Sequence, residues 1–151
     1  MRFFLFMFSL LSILLFGKPV FSQNNSEDFT SWKLYKEVSG LQIFSKEIGC
    51  HDNQNGIHEK YIVFQFVNTA EQTMNVSWQK ELWYNEKCTT CDKISTTENS
   101  FSLNLVPGES IEGSCDNLSS SGLKIFSHFL NTVKGSKLSK YEFKKMKITF
   151  K

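Results

Sequence analysis

EKYIVFQFVN, Glu59–Asn68, followed after a short polar break by TMNVSWQKELWY, Thr73–Tyr84, decides the fold class. In the second stretch Met74, Val76 and Trp78 alternate with polar residues, and the alternation resumes at Leu82 and Tyr84. Successive side chains on a β-strand point to opposite faces, so a period of two marks a strand with one buried face. The first stretch is the most apolar run after the N-terminus and reads as a central strand buried on both faces.

Outward from this pair the period stays near two rather than 3.6. Further strands are expected at Phe29–Tyr35, Leu41–Ile48, Ser100–Val106, Glu109–Gly113, Leu123–Leu130 and Lys140–Phe150. Leu123–Val133 also fits a helical period, but LKIFSHF is read as a strand. Turns fall at Asn53–Gly56, at Ser119–Gly122, around Gly135, and at Val106-Pro107-Gly108-Glu109, where Pro and Gly occupy the middle places of a type II turn. Seven to eight short antiparallel strands at this spacing predict an all-β protein, a single immunoglobulin-like β-sandwich over residues 29–151.

The last strand breaks its own pattern. Tyr141 and Phe143 share one parity, and Met146, Ile148 and Phe150 share the other. Both sets reach one face only if an irregularity shifts the register near Lys144–Lys145. Beyond that point Lys145, Lys147, Thr149 and Lys151 are expected on the solvent face.

The N-terminus, MRFFLFMFSLLSILLFGKPVFSQ, carries Arg2, then an apolar run from Phe3 to Phe16, then a break at Lys18-Pro19 and small Ser22 preceded by Val20. This is a signal-peptide pattern with cleavage expected after Ser22. The run is short for a spanning helix, so contact with a membrane is expected only through the uncleaved signal segment. Residues 23–28 are polar and read as a loose arm. Removing Arg2 and Lys18 leaves the basic and acidic residues equal in number, down from a formal charge of +2. The charge is nevertheless unevenly spread: residues 123–151 hold eight Lys and one Glu. Lysines on a last strand ordinarily guard an edge against pairing, although Lys145 and Lys147 are also candidate binding residues. No Arg remains after Arg2, which argues against nucleic acid, whose bases and phosphates are most often read by guanidinium forks.

The four cysteines are Cys50, Cys88, Cys91 and Cys115. An even count in an exported chain suggests disulfides. Of three connectivities, Cys88–Cys91 with Cys50–Cys115 is preferred; the others join Cys50 to Cys88 or Cys91. Cys88-Thr89-Thr90-Cys91 also resembles a redox pair or half a zinc site. The residues after it, Asp92–Thr97, do not read as the helix that activates a redox cysteine, and a second Cys-x2-Cys is missing. A structural staple is therefore favoured, with no metal and no cofactor expected.

His51, His58 and His128 show no nucleophile–base setting. His51 and His58 flank the Asn53–Gly56 turn and can face one another across a hairpin, read here as a surface pair before a metal pair. The Asp52–Gly56 run lacks the spaced carboxylates of a calcium loop. Trp83 and Tyr84 are candidates for an aromatic platform that would hold a glycan, with Trp78 assigned to the core. Asn24, Asn75 and Asn117 are sequons, relevant only in a eukaryotic cell.

With its signal segment ending Ser-Gln, with FQFVNTAEQTMNVSWQKELWYN (Phe64–Asn85) and with LVPGESIEG (Leu105–Gly113), the chain resembles small exported proteins of unknown function from Bacteroidota that carry an immunoglobulin-like sandwich. The resemblance spans about a third of the chain after Ser22 and implies no catalytic residue. It lacks the appended sorting domain of large secreted proteins of that phylum, which favours the periplasm over the cell surface. The expectation is thus a non-enzymatic, exported binding or accessory protein of the envelope, acting on an unidentified protein partner. A thiol or zinc protein built on Cys88 and Cys91, and a small glycan-binding module, are the alternatives.

Overall fold

The computed structural model describes residues 25–91, 99–116 and 122–151. The expected signal segment, the sequons at Asn24 and Asn117, the Asp92–Thr97 run and residues 119–121 of the expected Ser119–Gly122 loop lie outside the described residues.

Two antiparallel sheets form a sandwich. Among the described residues there are ten strands, not seven or eight: β1 (Asn25–Asp28), β2 (Lys33–Val38), β3 (Leu41–Asp52), β4 (Ile57–Asn68), β5 (Met74–Tyr84), β6 (Lys87–Cys88), β7 (Ser100–Leu105), β8 (Ser110–Glu112), β9 (Lys124–Phe129) and β10 (Leu138–Phe150). In the first sheet the long β3–β4 hairpin is central; β1 and β2 pair with β3, and β8 and β9 pair with β4. In the second, β5 is central, with β10 on one edge and β6 and β7 on the other.

The apolar alternation explains the packing. Leu41, Ile43, Phe64 and Phe66 of the first sheet meet Met74, Val76, Trp78, Leu105 and Phe143 of the second in one buried cluster. Phe66 and Trp78 lie 4.8 Å apart between ring centroids, and Phe64 and Phe143 4.7 Å. Burying such side chains contributes about 1.5–3 kcal/mol each. Neighbouring Val63 and Phe64 are both fully buried, so both faces of β4 are covered at its middle, as a run without alternation requires.

The bulge in β10 falls where the parity of its side chains demands. Pairing with β5 runs in step to Lys144↔Gln79 and resumes at Lys147↔Ser77. Lys145 takes φ 48°. This turns Phe143 on one side, and Met146 and Ile148 on the other, toward the same core. Lys145, Lys147, Thr149 and Lys151 are exposed. The proline turn is also as expected, with Gly108 at φ 75° and the Glu109 N–H donating to the Val106 carbonyl at 3.0 Å.

Three departures have physical causes. The loose arm expected over residues 23–28 is replaced, from Asn25 onward, by β1, which pairs with β3 through its backbone and so leaves no apolar signature. The strand expected at Phe29–Tyr35 begins instead at Lys33, because the intervening residues make a bend. There the Phe29 N–H donates to the Glu47 carbonyl, and the Thr30 hydroxyl accepts from the Glu47 N–H. β6, only two residues long, is the return arm of a tight turn in which Asn85 and Glu86 both have positive φ.

Asn68 ends β4 fully buried. Its side-chain amide donates to the Gln72 and Leu105 carbonyls and its oxygen accepts from the Ala70 N–H. It thereby ties the β4–β5 turn to the end of β7.

Candidate functional site

Both cysteine pairs are closed, as Cys50–Cys115 and Cys88–Cys91, with Cα atoms 5.6 and 5.8 Å apart. Cys50 belongs to the first sheet, on β3, and Cys88 to the second, on β6. The fold therefore does not gather the four sulfurs at one place. Among the described residues no three of His, Cys, Asp and Glu are grouped to hold a metal ion.

The threonines inside the CTTC motif give it a job in the fold. Thr89 donates from both its N–H and its hydroxyl to the Leu82 carbonyl. The Thr90 hydroxyl accepts from the Leu82 N–H at 2.9 Å and donates to the Lys80 carbonyl at 3.1 Å. The small ring thus continues the ladder along the edge of β5 after β6 has ended. Cys88 lies on the short strand β6.

Trp83 and Tyr84, adjacent on β5, point to opposite faces. Tyr84 turns inward, donates to the Phe126 carbonyl at 2.6 Å and stacks on the Phe126 ring; burial raises its phenol above the usual value. Trp83 turns outward, and the Lys140 ammonium covers one face of its ring at 4.4 Å from the centroid. Lys145 and Lys147 lie elsewhere. Lys147 pairs with Ser77 while Lys140 pairs with Trp83, a separation of about 20 Å along β5 at the strand rise of about 3.3 Å per residue. The four candidate binding residues therefore do not form one surface.

What the structure does assemble is a cleft of about 440 Å³ between the two sheets, lined by Glu47, Lys60, His128, Lys137, Lys140 and Tyr141 among others. β3 and β4 supply Glu47 and Lys60, joined by an ion pair at 2.6 Å. β9 supplies His128, whose ring nitrogen lies 3.0 Å from the Ser127 hydroxyl. Burial, with help from Lys137 and Lys60, lowers the His128 pKa. β10 and the loop before it supply Lys137 and Lys140. Lys140 is tethered to Glu142, whose carboxyl is held down to about 2 by hydrogen bonds from Lys140 and Lys144. A second, shallower cavity shares Lys137, Leu138 and Ser139 and continues toward the Asn85–Glu86 turn. The volume falls in the range of natural ligand clefts.

Beside this cleft the end of β9 and the β9–β10 connection expose apolar side chains. Phe129 and Leu130 are exposed and Val133 fully so, at 105%. Ile57, also exposed, starts β4 beside them: the Leu130 N–H donates to the His58 carbonyl and the Asn131 amide to the Gly56 carbonyl. The sequence pointed to the lysine-rich end of the chain but not to this cleft. Lys60 and Glu47 join it from strands far away in sequence. The excess of Lys over residues 123–151 was the signal that existed.

No family model matches the chain, and neither a curated protein nor a solved structure matches it. Among the described residues no helix is long and apolar enough to cross a membrane.

Proposed function

We propose that this chain is an exported, non-enzymatic binding or accessory protein of the cell envelope that holds a protein partner at the cleft between its sheets. The observation that carries the reading is the juxtaposition of Lys60, Lys137 and Lys140 in one cleft with exposed Phe129 at the end of β9 and exposed Leu130 and Val133 on the connection that follows. Contiguous apolar side chains beside fixed charge are the mark of an interaction surface. An acidic group of the partner would compete with Glu47 for Lys60 and with Glu142 for Lys140, and would meet Lys137, with the apolar side chains as anchors. Export is supported by the signal pattern of the first 22 residues and is compatible with all four cysteines being closed in disulfides.

The test places a photo-crosslinking amino acid at position 133 in the exported protein, in its native envelope. A discrete protein adduct, weakened by Lys137→Glu and absent when the crosslinker replaces Lys145 on the far part of β10, is the expected result. No discrete adduct at 133, or equal adducts at 133 and 145, would overturn the reading.

A further inference from the structure

At the end of the β3–β4 hairpin the structure brings two histidines together. His51 and His58 are directly opposed in the ladder, and their Nδ1 atoms lie 2.9 Å apart with ring centroids at 5.1 Å. In a neutral pair one Nδ1–H donates to the other Nδ1. A proton shared between two ring nitrogens occupies the place a metal ion can take.

We propose that His51 and His58 form a two-histidine chelate for a divalent transition-metal ion, with Cu²⁺ held most tightly and water completing the coordination. At about 2.0 Å from a metal, two nitrogens in neighbouring coordination positions lie about 2.8–3.3 Å apart. The observed spacing therefore needs only a small rotation of the rings to aim both lone pairs at one ion. Imidazole suits Cu²⁺, Ni²⁺ and Zn²⁺, and copper leads that order of affinity.

Three features prepare the site. Both backbone positions are pinned on both sides: His51 pairs with Asn25 of β1 as well as with His58, and the His58 carbonyl accepts from the Leu130 N–H. The outer nitrogen of His51, Nε2, faces the Glu27 carboxylate at 3.8 Å. At that distance, too long for a hydrogen bond, the carboxylate acts by its charge alone, which favours the Nε2–H tautomer and leaves the Nδ1 lone pair for the metal. Gly49, on the same face, leaves room for the ring; a Cβ there would lie 3.0 Å from His51 Nε2. Binding proceeds with the His58 proton on Nε2, so both rings enter as neutral ligands and no net proton is lost from a neutral pair. The Asp52 carboxylate, one residue along, is taken up by the turn through hydrogen bonds from Gln54 and Asn55.

The experiment is calorimetric titration of the tag-free exported chain with Cu²⁺, then Ni²⁺ and Zn²⁺, at neutral pH in a non-chelating buffer, with electron paramagnetic resonance of the copper form. One equivalent of Cu²⁺ bound tighter than Zn²⁺, with nitrogen couplings from two imidazoles, is expected. His58→Asn should weaken it at least tenfold, and Glu27→Gln by less. Copper bound with one nitrogen or none, or affinity unchanged in His58→Asn, overturns the proposal. Should His58→Asn misfold, the nitrogen count of the unaltered chain decides alone.

Discussion

Raising the pH from 8 to 10 should stabilise this fold through one buried lysine. Lys80 shares the inner face of β5 with Trp78 and is 7% exposed. Its ammonium donates to the Lys124 carbonyl at 3.0 Å and lies 4.3 Å from the Phe101 ring centroid. Burial pulls its pKa from 10.5 down to about 8, while the unfolded chain keeps the ordinary value. Below pH 8 both states carry the proton, and the folded state bears the full penalty, about 3 kcal/mol by linkage. Between pH 8 and 10.5 the unfolded state binds more protons, so stability rises with pH. By pH 10 the penalty falls to about 1 kcal/mol. The partly buried phenols of Tyr35, Tyr84 and Tyr141 have raised pKa values and work in the opposite direction above pH 10. They cancel when a variant is compared with its parent. Lys80→Met keeps the length of the side chain and removes the titration. It also removes a donor to the Lys124 carbonyl, a loss that does not vary with pH in this window. Urea unfolding, followed by tryptophan fluorescence at pH 7, 8, 9 and 10, measures both proteins. The difference in unfolding free energy should move by about 2 kcal/mol in favour of the parent between pH 8 and 10. A difference that stays constant across the window would refute the reasoning.

Two further outcomes follow from the staples and the bulge. Replacing Cys50 and Cys115 together by Ser opens a loop between residues 65 apart, and the chain-entropy relation gives about 4 kcal/mol lost. For Cys88 and Cys91, three apart, the same relation gives about 2 kcal/mol; chemical denaturation of the two double variants should rank them in that order. Lys145 holds φ 48°, so Lys145→Gly should stabilise by about 1 kcal/mol and Lys145→Val should destabilise, read from melting temperatures.

Much of this architecture was written locally. The alternation of Met74, Val76 and Trp78 sets which face of β5 is buried, whatever the strand packs against, because the pleat alone fixes side-chain direction. The parity break in β10 announced its bulge for the same reason. Pro107-Gly108 specified its turn through the φ values those residues accept. Asn85-Glu86 gave no comparable signal, since a non-glycine pair at positive φ is disfavoured in isolation and is held here by neighbours. The Asn85 side chain accepts from the Lys137 N–H, and the Glu86 N–H donates to the Ser139 hydroxyl.

The all-β class, the buried face of the central strands, the position of the bulge and the preference for the Cys50–Cys115 and Cys88–Cys91 pairing were thus legible along the chain. These rest on periods of two and on distances along the chain. The tertiary structure alone decided which strands became neighbours, and with them every candidate site. Lys60 meets Lys137 and Lys140 only because β4 and β10 lie on opposite sheets that open at one end. Phe129 and Leu130 come beside Ile57 only through the pairing of β9 with β4. His51 and His58 were placed close by the turn between them, but the 2.9 Å meeting of their nitrogens is set by the register of the whole hairpin and by the strands that pin each side of it. Backbone pairing carries little side-chain signature, so β1, β6 and the partners across each sheet became visible only when the chain was folded.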